Sequence, residues 1–209
     1  LKTTWYKAVE AVGVVLRVWP LETRQLPQWL QRRLQARNVR LEPAALALLV
    51  SRVEGNLLAA AQAVERLALW SDGHTPLTAA QVAEHIADSA HFSIYDWADA
   101  VIAGETERAL RILQHLQAEG EEPVLMVWAL TRELRVLAQA AFLLQTGRER
   151  RDSVLARLGV AERRWGLLGA ALQRQPLRFW QQTLAYCAQA DRVNKGGVRG
   201  NPWLLLAAL

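Results

Sequence analysis

Two groups of basic residues near the end of the chain have the side chains needed to hold a phosphate backbone. One of them, the second basic group in chain order, lies in the stretch DRVNKGGVRGNPW, where Arg192, Lys195 and Arg199 stand close to three glycines. The first group surrounds a predicted helix-loop-helix junction and contains Arg148, Arg150, Arg151, Arg157, Arg163 and Arg164. Lysine and arginine donate hydrogen bonds to phosphate oxygens, and glycine lets the backbone approach a ligand closely. From the residues alone, a phosphate-binding surface and an ordinary surface turn are equally well supported.

The net charge of +5 is unevenly distributed along the chain. Residues 1–144 hold 14 Lys/Arg against 16 Asp/Glu, whereas residues 145–209 hold 11 against 4, a local net charge of +7. Such an excess attracts polyanions, because each neutralised phosphate releases counterions. A basic surface that is simply solvated fits the same count.

Sequence signatures of catalysis and of metal binding are absent. The chain has no Gly-x-x-x-x-Gly-Lys-Ser/Thr loop and no Gly-x-Ser-x-Gly elbow. Its four histidines have neither i,i+4 spacing nor cysteine companions. Asp96 and Asp99 lie near a predicted helix start, where carboxylates interact favourably with the helix dipole, and Cys187 is predicted to be an inert core residue. We therefore predict no catalytic residue, no metal and no cofactor.

The elements that position these residues are predicted to be almost all helical. One strand is predicted over residues 13–18 (GVVLRV). Apolar periodicity, proline positions and a Thr78-x-x-Gln81 capping box then predict four helices, over 25–36, 43–53, 55–70 and 79–87. Arg32, Arg33 and Arg37 lie around the axis of the first of these. Glycine stops and apolar periodicity predict seven further helices, over 93–103, 105–118, 123–145, 152–158, 161–174, 176–193 and 202–209.

These elements predict three regions: residues 1–21 as the end of a domain whose remainder is missing, residues 22–92 as a small helical domain, and residues 93–209 as a helical bundle. The long helix over 123–145 has few polar residues, so we expect neighbouring helices to enclose it. Most of the surface of the 55–70 helix should also be covered, and the nine tryptophans should lie mainly in the core. No apolar run approaches the roughly 20 residues of a membrane span, so we expect a soluble, cytoplasmic protein.

Several short stretches, in this order and spacing, resemble the delta subunit of the bacterial DNA polymerase III clamp loader. The stretches are WYKA (5–8), WP (19–20), QLPQW (25–29), EGNLLAAAQAVERL (54–67), HFSIYDWADA (91–100), GETERALRILQHLQAEGEEPVL (104–125) and ADRVNKG (190–196), followed by Trp203. The resemblance implies a mainly α fold: the end of an AAA+-like domain at 1–21, a helical AAA+ lid domain at 22–92 and a helical collar domain at 93–209.

In active AAA+ ATPases, the matching lid helix begins Gly-x-x-Arg and directs the arginine towards the nucleotide phosphates. Leu58 occupies that position in Gly55-Asn56-Leu57-Leu58, so the resemblance implies that no ATP is hydrolysed here. It implies a non-catalytic subunit of the polymerase holoenzyme, a nucleotidyltransferase complex. The implied partners are delta prime and the gamma or tau subunits in a ring, the sliding clamp through the missing domain, and primer-template DNA, with no membrane.

The family also places collar loops beside DNA, which marks Arg163, Arg164, Arg192, Lys195 and Arg199 as DNA-proximal candidates. Two positions depart from the family pattern. Ala161 replaces the tryptophan of a Trp-x-x-Arg pattern, and Val198 stands where the loop can carry an aromatic residue. We therefore predict that DNA is held mainly by charge. The alternative is a DNA-binding regulator with a helix-turn-helix in residues 25–87, which the nearly neutral 55–70 helix disfavours.

Overall fold

The fold is described from a computed structural model, in which residues 3–16, 18, 21–147 and 149–209 are described. Within these residues the chain divides into two compact units, Leu1–His91 and Phe92–Leu209. The regular elements are α-helices and two short 3-10 turns, as the mainly α prediction requires. No described helix has both the length and the apolar character that a membrane span needs.

The predicted strand over residues 13–18 is wrong for the part of it that is described. The first helix, α1 (Thr4–Val12), buries none of its residues, and residues 13–16 and 18 belong to no strand. Arg17, Trp19 and Pro20 lie outside the described residues. A strand is stable when a neighbouring strand takes up its hydrogen bonds, and the described chain offers only an isolated bridge between Leu41 and Leu77.

The first unit packs four helices around one apolar core. They are α2 (Leu26–Ala36), α3 (Pro43–Val53), α4 (Leu57–Trp70) and α5 (Ala79–His85), and a 3-10 turn, Thr23–Gln25, precedes α2. Each helix contributes apolar residues at helical spacing, including the fully buried Leu30, Leu49, Leu67 and Val82. The predicted capping box opens α5, since the backbone N–H of Thr78 donates to Gln81 Oε1 at 2.8 Å. This confirms the predicted start of the helix.

Gly55 is required where the segment after α5 runs back beside the end of α3. The N–H groups of Ser89 and His91 donate to the carbonyls of Arg52 and Glu54, each at 2.8 Å. Gly55 has φ +75°, and a Cβ at this position would lie 1.8 Å from the carbonyl oxygen of His91. Only glycine fits this close approach. The helix therefore begins after the glycine, with Asn56 as its N-cap accepting a hydrogen bond from the N–H of Ala59 at 3.0 Å.

The second unit surrounds one long helix, α8 (Pro123–Thr146). The other helices are α6 (Ile94–Ala103), α7 (Thr106–Ala118), α9 (Arg151–Arg157), α10 (Trp165–Arg174), α11 (Leu177–Asn194) and α12 (Pro202–Ala207). Helices α6, α9, α10, α11 and α12 all pack against α8. Large side chains fill the core between them, among them Trp97, Ile112, Leu130, Leu134 and Trp180. The central position predicted for this helix is confirmed.

The extent of burial was overestimated for two helices. On α8, the side chains of Val124, Leu125, Trp128 and Phe142 are exposed, so its neighbours enclose one face only. On α4, the residues Ala60, Ala63, Val64 and Leu67 are buried, while Leu57, Leu58, Leu69 and Trp70 are exposed. Apolar composition shows that a helix can be enclosed, but the number of packed neighbours decides how much of it is.

The prediction that the tryptophans lie mainly in the core is correct for only some of them. Trp97 and Trp180 are fully buried, Trp29, Trp165 and Trp203 are partly buried, and Trp5, Trp70 and Trp128 are exposed. Among the tryptophans that the structure describes, the exposed ones are therefore available as contact surfaces.

Candidate nucleic-acid interface

The loop between α11 and α12 follows a capped helix end and presents basic side chains. Gly196 has φ +72°, its N–H donates to the carbonyl of Val193 at 3.0 Å, and the N–H of Gly197 donates to the carbonyl of Arg192 at 2.9 Å. This pair of bonds is a Schellman motif, which a glycine in the left-handed region allows. Asn201 then caps α12 by accepting a hydrogen bond from the N–H of Trp203 at 2.9 Å.

The three basic residues around this loop are all exposed, but they differ in pairing. Lys195 Nζ lies 2.6 Å from Asp191 Oδ2, one turn earlier on α11. Arg192 and Arg199 form no ion pair with any described residue. An exposed i,i+4 pair contributes only a few tenths of a kcal/mol, so Lys195 can exchange its partner for a phosphate. All three cations are therefore available to a polyanion.

Arg164 stands in a different environment, because it bridges carboxylates from two helices. Its Nη1 and Nη2 donate to Asp99 of α6 at 3.1 and 2.6 Å, and Nη2 also lies 3.1 Å from Oε2 of the buried Glu133. Burial opposes the charge of the guanidinium, but the two carboxylates outweigh it and raise the pKa of Arg164. The charge of Arg164 is thus largely neutralised by Asp99 and Glu133 inside the second unit.

The neighbours of Arg164 in sequence leave part of the first basic group free. Arg163 and Arg150 are exposed and have no ion pair among the described residues. Arg157 pairs with Glu149 at 2.7 Å, and Arg151 donates to the carbonyl of Gly169 at 3.3 Å. Arg148 lies outside the described residues. Nothing in the sequence distinguishes the paired arginines from the unpaired ones.

A groove between α8 and α11 places Lys195 of the second basic group beside two arginines of α8. Its volume is about 590 Å³, and its walls include Trp128, Arg132, Arg135 and Lys195. Arg132 Nη2 lies 2.9 Å from Glu133 Oε1, so it is joined through that carboxylate to Arg164. Trp128 is 52% exposed, with the Arg132 guanidinium 5.6 Å from its ring centre. The sequence analysis predicted Trp128 to lie in the core and assigned no role to Arg135. Arg132 and Arg135 follow Trp128 by four and seven residues on the same helix, and this spacing was the available signal.

Other residues considered for chemistry have structural surroundings. Asp96 accepts from the N–H of Ser93 at 2.8 Å in a capping box at the start of α6, as expected for a carboxylate at a helix start. Cys187 is buried, and this burial raises the pKa of its thiol, as predicted for a core residue. Among the residues described, no three His, Cys, Asp or Glu side chains lie close enough to hold a metal ion. Leu58, at the second position of α4, is 71% exposed.

A family model described as the processivity clamp loader gamma complex DNA pol III C-term matches residues 94–207. The chain belongs to this family. The match covers the second unit almost from end to end and includes the basic loop, the groove and Arg164. The resemblance inferred from the short stretches is therefore confirmed.

Two relatives of the family extend the similarity over the whole chain. The DNA polymerase III subunit delta of Escherichia coli (strain K12) is 34% identical over 98% of this chain and 59% of its own length. That of Haemophilus influenzae is 28% identical over 100% of this chain and 63% of its own length. The chain thus spans about three-fifths of the relatives that it matches. These matches give no support to the alternative of a helix-turn-helix regulator.

A similar solved structure is the Bacillus subtilis DNA clamp loader delta protein. It is 16% identical, with a TM-score of 0.45, over 99% of this chain and 60% of that chain.

Proposed function

We propose that this chain is the lid and collar portion of a non-catalytic clamp-loader subunit that helps open a sliding clamp and load it onto primed DNA. The observation that carries the proposal is the family match over the second unit, which is the unit with the exposed apolar helix face and the basic loop. The proposed partners are delta prime, the gamma or tau subunits and the sliding clamp. The proposed location is the bacterial cytoplasm, where DNA is replicated.

The exposed face of α8 is proposed to serve assembly. Val124, Leu125 and Trp128 form a contiguous apolar stripe at the start of the helix, by their helical spacing. Exposed apolar side chains that cluster in this way are typical of protein interfaces, and buried tryptophans carry much of the binding energy there. The other face of α8 is buried in the core of the unit, so the stripe is presented by a rigid element.

Assembly is tested by mixing the chain with gamma or tau and delta prime and measuring mass by light scattering. We expect a complex of defined stoichiometry. Trp128→Ala should weaken it about thirtyfold or more, because a central interface tryptophan is worth about 2 kcal/mol or more. Trp70→Ala removes an exposed tryptophan from the first unit and serves as the control. Persistent monomers at micromolar concentration would overturn the assembly role.

We propose that Arg163, Arg192, Lys195 and Arg199 contact the phosphate backbone of DNA near the collar. All four are exposed, and three of them have no ion pair among the described residues. Arg164 also lies in this region, but its two carboxylate partners leave little charge for a phosphate. We therefore propose that Arg164 orders the surface from which Arg163 projects.

The DNA role is tested with Arg192→Ala/Lys195→Ala/Arg199→Ala on primed DNA. Each lost phosphate contact lowers the slope of log K against log salt by about 0.9, so the slope should fall by up to about 2.7. Arg178→Ala is the control, because Arg178 is exposed and lies at the opposite end of α11. Complex formation with the partner subunits should not change. An unchanged salt slope would remove these residues from the DNA contact.

We also propose that the chain hydrolyses no ATP. An uncharged side chain at position 58 cannot stabilise the charge that develops on a transferred phosphoryl group. The purified chain should release no phosphate from ATP above the buffer blank, alone or with primed DNA. Release by the chain itself would contradict the assignment of Leu58.

A further inference from the structure

The first unit contains a basic segment that the regional charge count concealed. Residues 23–41 hold five arginines and no acidic residue, whereas the rest of residues 1–91 holds five Lys/Arg against eight Asp/Glu. A net charge of +5 is thus concentrated on one short segment of a unit that is otherwise −3. The average over residues 1–144 hides this because 14 of the 16 acidic residues in that range follow residue 41.

Helix α2 forms most of this segment, and its composition is unusual. Its polar residues are all glutamine or arginine, namely Gln28, Gln31, Arg32, Arg33 and Gln35. Both side chains donate hydrogen bonds to phosphate and sugar oxygens, and the planar guanidinium matches a phosphate with two parallel bonds. The exposed part of α2 therefore offers several donors, and no carboxylate on the helix competes for them.

Two of the five arginines in this segment form ion pairs, and the other three form none with the described residues. Arg24 lies 2.6 Å from Glu22, and Arg37 lies 2.8 Å from Glu65 of α4. Arg32, Arg33 and Arg40 are exposed and form no ion pair within the described residues. The Arg33 guanidinium lies over the Trp29 ring, 4.5 Å from its centre, which holds Arg33 in a defined position on the helix.

We propose that the exposed face of α2 binds the phosphate backbone of duplex DNA through Arg32 and Arg33. This is a second DNA contact, on the first unit, and it is independent of the collar contact. Because Arg33 covers the Trp29 ring, the helix offers no free aromatic face for an unpaired base, and contact with the duplex backbone is favoured over single strands. The contact depends on the phosphate charge and is independent of the base sequence.

The apolar face of α2 argues against a membrane surface as the polyanion. A helix that lies on a membrane inserts an exposed apolar face between the headgroups. In α2, Leu26, Leu30 and Leu34 are all buried in the core of the unit. The helix therefore presents only its polar face, which suits contact with phosphates in water.

The test uses the 209-residue chain, a fluorescein-labelled 20-base-pair duplex and fluorescence anisotropy between 50 and 200 mM KCl. Arg32→Gln/Arg33→Gln should lower the salt slope by about 1.8, that is, two contacts of about 0.9 each. The ratio between the duplex affinities of the unmodified chain and the variant should then decrease by about 12-fold between 50 and 200 mM KCl, because a fourfold change in salt raised to the power of about 1.8 is about 12. Arg32→Lys/Arg33→Lys, which keeps the charge, should retain most of the slope.

The control is Arg66→Gln/Arg178→Gln, which removes the same charge from two exposed positions away from α2. It should leave the slope within about half a contact of the unmodified chain. An equal loss of slope in the control, or an unchanged slope in Arg32→Gln/Arg33→Gln, overturns the proposal. So does a result in which the α2 variant loses binding to phosphatidylglycerol vesicles or poly-glutamate but keeps its binding to the duplex. The triple variant Arg192→Ala/Lys195→Ala/Arg199→Ala changes only the second unit. The two proposed DNA contacts are therefore tested separately, and one can be refuted without the other.

Discussion

Replacing Arg164 with alanine should destabilise the second unit although the residue is near the surface. Arg164 joins Asp99 of α6 to Glu133 of α8, with its closest approach at 2.6 Å to Asp99. The replacement leaves Glu133, whose side chain is 11% exposed, with Arg132 as its one remaining described cationic partner. It also removes the ion pair of Asp99, which forms no other ion pair with the described residues.

The magnitude lies between the two limits known for ion pairs. Breaking a buried pair costs about 3–5 kcal/mol, and an exposed pair contributes about 0–1 kcal/mol. The Arg164 side chain is 27% exposed and that of Asp99 is 37% exposed, so solvent screening reduces the cost. The Arg164 Nε atom is buried and has no partner, and its removal offsets part of the loss. We expect a decrease of about 2 kcal/mol in the free energy of unfolding, close to a thirtyfold change in the equilibrium constant.

Urea denaturation followed by circular dichroism measures the change, and hydrogen exchange of α6 and α8 amides assigns it to the second unit. Arg163→Ala, at an exposed residue without an ion pair in the described chain, should change stability by less than about 0.5 kcal/mol. The double variant Asp99→Ala/Arg164→Ala should show a coupling of about 1–2 kcal/mol. If Arg164→Ala is no more destabilising than Arg163→Ala, the bridge has no structural role.

Three further outcomes are expected. Gly55→Ala should cost about 3 kcal/mol or more in urea denaturation, because φ is +75° and the new Cβ would meet the His91 carbonyl oxygen at 1.8 Å, whereas Gly166→Ala, with open space around its Cβ, should be tolerated. Hydrogen bonds from the backbone of Thr75 and His74 lower the pKa of Asp72 to about 2, so its contribution to stability is present above pH 4 and is lost as the pH falls towards 2. The stability difference between the unmodified chain and Asp72→Asn should therefore vanish in that window, and a constant difference down to pH 2 would contradict the assignment. Leu58→Arg, at an exposed position, should change stability by less than about 0.5 kcal/mol and should create no ATP hydrolysis, as thermal denaturation and phosphate release would show.

The course of the chain through its helices was readable from local chemistry. Pro43 and Pro123 stand at the first positions of α3 and α8, and Thr78 and Gln81 form the expected capping box. These signals act over one turn of helix, so the sequence contains all of their partners. The predicted mainly α fold and the family resemblance depended on such local patterns, and both are confirmed.

Whether a given arginine is free for a ligand was decided by the tertiary structure alone. Arg163 and Arg164 are neighbours in sequence, yet only Arg164 meets Asp99 and Glu133, which lie 65 and 31 residues away. Trp97 and Trp128 are both helical, and only the first is enclosed by neighbouring helices. Burial and ion pairing depend on which elements pack together, and that information is distributed over the whole chain. The sequence fixes which side chains can carry charge or apolar surface, and packing decides which of them remain available to a partner.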